Sequence, residues 1–180
     1  GGWRVRRAVA GRTVVVSGST TARGVAVGHG LSQAGARVAA VDILGDRVPE
    51  LAVAYNNVTG YVCNLADLQA VEDLATSVRN DLGPVDGLIH RVGGWRGGTG
   101  ITGQTDEDWD FLHTSVLTTL RNTSRACYDD LAASPAGRLA VVSAQSASTP
   151  TAGGAAYAAV KSAAEAWTLA VADGFRHLQG

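Results

Sequence analysis

The sequence predicts an α/β sandwich: a doubly wound parallel sheet with helices on both faces, in three layers. Three observations predict it. Short β-branched or apolar runs alternate with longer helical patterns along the whole chain. Those runs are apolar almost without a break, as strands buried on both faces must be. The stretches between them are long enough for crossover helices, and glycines stand where those helices should stop.

Thr13-Val14-Val15-Val16-Ser17 is the first strand. A helix is expected from about Arg23 to Ala34, ended by Gly35, which can take the left-handed conformation of a helix stop. Arg37 to Asp42 is the second strand, Asp46 to Tyr55 a weak helix, and Val58 to Val62 the third strand. Asp67 opens a well-marked helix to Leu82. Its apolar face is Leu68, Val71, Leu74, Ala75 and Val78, and Gly83-Pro84 ends it. Val85 to His90 is the fourth strand, and Gly93 to Gly103 is a glycine-rich loop. One long helix is expected from Asp106 to Ala133, facing inward through Leu112, Val116, Leu117, Leu120 and Cys127. Arg138 to Ser143 is the fifth strand and Gly154 to His177 the last helix. No repeat or linker divides residues 1–180, so a single domain is expected.

Composition narrows the function classes. With 180 residues, 46% hydrophobic and 17% charged, the chain is of globular and not of disordered type. A net charge of −1 without any Lys/Arg run gives no reason to expect nucleic acid as a partner. No apolar run is long enough to span a bilayer. The basic start, Gly1 to Ala10, lacks the apolar stretch of a secretory signal, and without any methionine residue 1 is not an initiator. Cys63 and Cys127 lie far apart and without metal-ligand spacing, so buried reduced thiols and a cytoplasmic protein are expected. No set of His, Cys, Asp and Glu has metal spacing.

In doubly wound sheets ligands lie at the carboxyl ends of the strands, and the chemistry-bearing residues of this chain follow its strands. The first strand runs into Gly18-Ser19-Thr20-Thr21-Ala22-Arg23-Gly24. Small residues at 18, 22 and 24 allow a tight turn whose N–H groups can approach a pyrophosphate at a helix start, which makes the sheet Rossmann-type. Gly28 and Gly30 are expected to be close-packing sites in that helix. Asp42, ending the second strand, can accept both hydroxyls of an adenosine ribose and repels a 2′-phosphate, which favours NAD(H). NADP(H) stays open because Arg23 and Arg47 could accept that phosphate. Asn64 and Leu65 follow the third strand, where an adenine edge would lie.

Tyr157 and Lys161 stand four apart on one helix face. A phenol ordinarily ionises near ~10, and an ammonium beside it favours the ionised form. Such a pair can move a proton to or from a carbonyl or imine while a hydride moves from nicotinamide. In isolation the spacing is equally that of an ordinary exposed helix face.

Together these residues resemble the short-chain dehydrogenase/reductase family, from about Arg12 to the end of the chain. Ser17-Gly18, Ala22 and Gly24 resemble its T-G-x-x-x-G-x-G turn. Tyr157-Ala-Ala-Val-Lys161 matches its Y-x-x-x-K motif, and Thr105-Asp-Glu-Asp-Trp109 resembles the start of its long interface helix. The resemblance implies Tyr157 as proton donor or acceptor, Lys161 on the nicotinamide ribose, Val92 and Gly93 beside the cofactor, a small-molecule substrate, and a homo-oligomer (dimer or tetramer). Three positions depart from the pattern. The family's N-N-A-G is His90-Arg91-Val92-Gly93, its catalytic serine falls on Ala144, and its helix asparagine falls on Val116. Ser143, Gln145 and Ser146 could replace the missing hydroxyl. One subgroup, quinonoid dihydropteridine reductase, resembles the chain in its loop, here Gly93-Gly94-Trp95-Arg96-Gly97-Gly98, and in alanine at the serine position. That likeness places Trp95, Ala144 and Tyr157 around a flat substrate. The family continues past this helix with two further strands, so C-terminal strands are expected to be missing from a chain that stops at Gly180.

The sequence therefore points to an NAD(H)-dependent oxidoreductase acting on a small carbonyl or hydroxyl compound, or on a quinonoid dihydropterin-like one. The alternative is a catalytically weak nucleotide-binding protein acting by binding or assembly, motivated by Ala144 and Val116. His90 and Arg91 are expected to meet a cofactor mainly through backbone. Arg96 is read as a solvated loop residue, and His29 and His113 as surface or interface residues. The acidic Asp106, Glu107, Asp108 and Asp110 sit where a helix dipole favours them.

Overall fold

The computed structural model describes residues 8–18, 21–43, 56–142 and 148–177. Its strands are β1 (Thr13–Ser17), β2 (Arg37–Asp42), β3 (Val58–Val62), β4 (Gly87–His90) and β5 (Arg138–Val141). They form one parallel sheet in the order β3-β2-β1-β4-β5. The helices are α1 (Ala22–Gln33), α2 (Leu68–Leu82), α3 (Asp106–Leu112), α4 (Thr119–Ala133) and α5 (Ala155–His177).

Alternating side chains explain why the strands read as unbroken apolar runs. Val15, Ala39, Val41 and Leu88 point to one face and meet Val71 and Val78 of α2 and Cys127 and Leu131 of α4. Val14, Val16, Val38 and Ala40 point to the other face and meet Val27 and Leu31 of α1. Each fully buried Val or Leu of this kind contributes about 1.5–3 kcal/mol. The expected three-layer, doubly wound architecture is thus the observed one. Its strand order reverses between β1 and β4, which opens a crevice at their carboxyl ends.

Several boundaries differ from expectation for local reasons. Helix α1 starts at Ala22 because Thr21 caps it, its Oγ1 accepting the Gly24 N–H at 3.1 Å. β4 starts at Gly87 and not at Val85. The Val85 N–H goes to the Asp130 carboxylate at 3.1 Å, and the Asp86 carboxylate takes the Thr13 N–H at 2.9 Å. Val85 thus gives its N–H to a side chain, while Asp86 still donates its N–H to the Thr13 carbonyl at 2.8 Å and accepts the Arg138 N–H at 3.2 Å. The long helix is interrupted by a π-helical segment, His113–Thr118, between α3 and α4. Ser115 Oγ donates to the Phe111 carbonyl at 2.7 Å and Thr119 Oγ1 to the Ser115 carbonyl at 2.8 Å. Hydroxyls that bond back to the preceding turn compete with the helix ladder, and single π turns collect at functional sites. Gly28 and Gly30 are not close-packing sites: a Cβ built on either meets nothing within 4 Å. The weak helix expected at Asp46 to Tyr55 lies outside the described residues, as do the end of the expected fifth strand at Ser143, and Arg47.

Candidate active site

The small-residue turn after β1 sits at the crevice, as its position after the first buried strand requires. Gly18 has φ +68°, and a Cβ there would lie 3.1 Å from the Arg91 carbonyl at the end of β4. Only glycine allows both the left-handed backbone and that approach. Thr21 Oγ1 donates to the Gly18 carbonyl at 3.2 Å, closing the turn onto the start of α1, where Gly24 is buried. A glycine cradle against a helix start fits a dinucleotide pyrophosphate. Ser19 and Thr20 lie outside the described residues. Ala22 and Arg23 form the exposed first turn of α1.

A cleft of about 380 Å³ opens beside this turn. It is lined by His90, Arg91, Val92, Gly93, Gly94, Trp95, Val116, Val141, Val142, Tyr157 and Lys161. The structure thus brings together the expected pair, the expected Val92 and Gly93, and Trp95. Tyr157 is half-buried on the first turn of α5, and the Lys161 ammonium lies 5.8 Å from the centre of its ring. Lys161 is only 9% exposed, and its Nζ donates to the Val142 carbonyl at 3.0 Å, just past β5. Burial lowers the Lys161 pKa, and the charge of Glu165 opposes that shift. Trp95 is 60% exposed, so it forms the rim of the cleft and does not anchor the loop in the core. Val116, at the position of the family's asparagine, is buried and contributes an apolar wall. Ala144, Ser143, Gln145 and Ser146 lie outside the described residues.

The adenine side is less developed. Asp42 ends β2 opposite Val62, half-buried, and its Oδ1 accepts the Ile43 N–H at 2.7 Å. Asn64 is exposed, and its Oδ1 accepts the Ala66 N–H at 3.1 Å. Leu65 turns inward beside Asn64. Its side chain belongs to the hydrophobic core, and its carbonyl receives Asn122 Nδ2 at 3.0 Å.

Sequence reasoning missed the residues behind the cleft. His90 is 2% exposed, and it is engaged through its ring and not only its backbone. Its Nδ1 lies 3.1 Å from Ser17 Oγ and its Nε2 3.1 Å from Thr119 Oγ1. Burial, and secondarily the charge of Lys161, pushes its pKa down to about 3. Arg91 contacts the turn through its side chain, Nη1 lying 3.4 Å from Thr21 Oγ1. A signal was present: Ser115, Thr119 and Thr123 recur every four residues, a hydroxyl stripe on one face of a helix otherwise read only for its apolar positions. Arg96 is not simply solvated either. It stacks 4.1 Å from the centre of the Phe111 ring and reaches Asp108 at 3.5 Å. His113 is exposed beside Trp109. Among the described residues, no group of His, Cys, Asp and Glu is arranged to hold a metal, and no helix is long and apolar enough to cross a membrane. Cys63 and Cys127 are buried free thiols.

Comparison with known proteins gives a consistent result. A family model described as short chain dehydrogenase matches residues 12–178. The 2,3-dihydro-2,3-dihydroxybenzoate dehydrogenase of Bacillus subtilis is 26% identical over 166 residues, covering 90% of this chain and 63% of that protein. The 3-oxoacyl-[acyl-carrier-protein] reductase of Haemophilus influenzae is 28% identical, covering 84% of this chain and 62% of that protein. The 1-deoxy-11-beta-hydroxypentalenate dehydrogenase of Streptomyces avermitilis is 40% identical over a shorter stretch, 45% of this chain and 32% of that protein. The chain thus spans less than two thirds of the length of these curated relatives. The solved structure of gox2181 superimposes with a TM-score of 0.89 at 19% identity, covering 98% of this chain and 71% of that one, a likeness of fold.

Proposed function

The chain belongs to the short-chain dehydrogenase family, and on that premise we propose that it is the dinucleotide-binding domain of an NAD(H)-dependent oxidoreductase. The observation that carries this reading is the cleft: Tyr157 and Lys161 share it with Gly93 and Trp95, beside the glycine turn at Gly18. When bound there, the nicotinamide supplies or accepts a hydride. Tyr157 Oη gives or takes the proton at the reacting oxygen or nitrogen. Lys161, held by the Val142 carbonyl, presents a positive charge to the phenol and to the ribose hydroxyls. Gly18, Thr21, Ala22 and Gly24 receive the pyrophosphate, with Ser19, Thr20 and Arg23 completing the turn. Asp42 receives the adenosine ribose and gives the preference for NAD(H) over NADP(H).

The substrate class is a small carbonyl or hydroxyl compound. Two of the relatives are named dehydrogenases and one a reductase, which supports hydride chemistry in either direction. One observation favours a quinonoid dihydropterin-like substrate as the second reading. The exposed Trp95 ring borders the cleft together with apolar Val116, a wall suited to a flat and already electrophilic ring. The same reading includes self-association as a dimer or tetramer, supported by the apolar groove between α4 and α5 that Tyr128, Trp167 and Val171 line.

The test is a pair of measurements on the purified chain. NADH and NADPH are titrated by nicotinamide fluorescence, and turnover is followed with a panel of carbonyls and a quinonoid dihydropterin. Saturable NADH binding with turnover of one panel member supports the reading. Absence of nucleotide binding sinks it, whereas binding without turnover favours a protein that acts by binding alone.

A further inference from the structure

The two ring nitrogens of buried His90 both face hydroxyls, and each hydroxyl belongs to a different part of the site. We propose that His90 is a positioning residue, held as the neutral Nε2–H imidazole, that couples the phosphate turn after β1 to the π segment of the long helix. The inference rests on the dinucleotide reading only for what the coupling serves.

The proton count selects the tautomer. The Arg91 N–H donates to Ser17 Oγ at 3.0 Å. The Ser17 hydroxyl hydrogen then has two acceptors, His90 Nδ1 at 3.1 Å and the Ile89 carbonyl at 3.4 Å, and the nearer is the ring nitrogen. On the other side the Thr119 hydroxyl donates to the Ser115 carbonyl at 2.8 Å. Its oxygen is left to accept, so His90 Nε2, at 3.1 Å, carries the hydrogen. Thr123 Oγ1 lies 3.4 Å from Nδ1 but has a nearer acceptor in the Thr119 carbonyl at 2.9 Å. Every polar atom of the ring and its neighbours is thereby satisfied by one assignment. The opposite tautomer would turn the Thr119 hydroxyl toward Nε2 and take from the Ser115 carbonyl, inside the π segment, its side-chain donor.

The two ends matter because of where they sit. Ser17 is the last residue of β1, next to Gly18, and through Arg91 N–H it fixes the strand end against which Gly18 packs. Thr119 opens α4, and the π segment it ties down carries Val116, a wall of the cleft. The width of one imidazole thus sets the distance between the floor that receives the pyrophosphate and the wall that faces the substrate. A neutral ring suits this task because its asymmetry forces one direction on the whole chain of bonds.

Two half-mimics separate the two ends. In His90→Asn the side-chain oxygen falls near the Nδ1 position and keeps the Ser17 link while losing Thr119. In His90→Gln the amide nitrogen falls near Nε2 and keeps Thr119 while losing Ser17. Hydrogen–deuterium exchange of residues 115–119 and the NADH dissociation constant are measured for both variants and the parent chain. One lost hydrogen bond predicts a change of about tenfold at the severed end and little at the other. His90→Asn should speed exchange at 115–119 with NADH affinity kept, and His90→Gln should weaken NADH with exchange kept. Equal effects of both variants on both readouts, or no effect on either, overturn the coupling. Nitrogen-15 spectra of histidine-labelled parent chain, with His90 assigned by elimination from single substitutions of the other three histidines, His29, His113 and His177, decide the tautomer even where a His90 variant fails to fold. An Nδ1–H or doubly protonated ring at neutral pH overturns the proposal. If the parent chain binds no NADH, the dinucleotide reading fails, while exchange and tautomer still judge this one.

Discussion

The Lys161 ammonium lies 5.8 Å from the centre of the Tyr157 ring, one helical turn further along α5, and is anchored on the carbonyl of Val142 at 3.0 Å. The helix sets the spacing of the pair, and β5 sets its aim. A lysine with nine-tenths of its surface covered has few rotamers left, so its charge is presented to the phenol at a nearly constant place.

Tyr157→Phe is expected to abolish turnover while leaving NADH affinity within about twofold, because the ring's packing survives and only the proton-carrying oxygen goes. Lys161→Ala is expected to lower both turnover and NADH affinity, since it removes the charge and the group facing the ribose. Steady-state rates with a responsive substrate, set beside fluorescence titration, check both. A Tyr157→Phe chain that retains full turnover removes Tyr157 from the chemistry.

Gly18→Ala is expected to destabilise the fold by about 1–2 kcal/mol, the cost of placing a Cβ in the left-handed region. The new methyl would also press on the Arg91 carbonyl at 3.1 Å, so NADH affinity should fall by more than the stability change alone explains. Urea midpoints and NADH titrations on the same preparation measure both quantities. Unchanged affinity would place the nucleotide elsewhere.

Asp42→Ala is expected to narrow the preference for NADH over NADPH, because a carboxylate that accepts ribose hydroxyls also repels a 2′-phosphate. The ratio of the two dissociation constants is the readout. A parent chain that already binds NADPH more tightly would reverse the cofactor assignment.

Stability should fall with acid in a window set by His90. Its folded-state pKa is depressed from 6.5 to about 3, by burial first and by the charge of Lys161 second. Below the ordinary histidine value the unfolded chain binds a proton that the native chain refuses. The stabilisation is therefore fully present above the unfolded pKa and is lost as pH falls, at up to about 1.4 kcal/mol per pH unit. Urea midpoints between pH 6.5 and 5, above the range where carboxylates titrate, isolate the effect. His90→Asn should flatten that slope, and an equal slope in the variant would assign it to another group.

The chain's local patterns were largely readable in advance. The runs of β1 and β2 and the apolar face of α2 read correctly because neighbours along the chain share geometry that periodicity exposes. Thr105 and Asp67 cap α3 and α2 as the residue types suggest. The misses are of another kind. Val85 leaves the strand because Asp130, remote in sequence, takes its N–H. The π segment follows from hydroxyls whose geometry on the helix no apolar periodicity records.

By itself the sequence determined the fold class, the tight turn at Gly18 and the placing of Tyr157 and Lys161 on one helix face, since each depends on residues a few positions apart. Only the tertiary structure decided that Ser17, His90 and Thr119 form one line of hydrogen bonds, and that the Lys161 ammonium closes on Val142. These partners come from different strands and helices. They meet because the sheet packs in the order β3-β2-β1-β4-β5, which puts the ends of β1 and β4 side by side. Burial then favours pairing of these polar groups with one another, because water does not reach them.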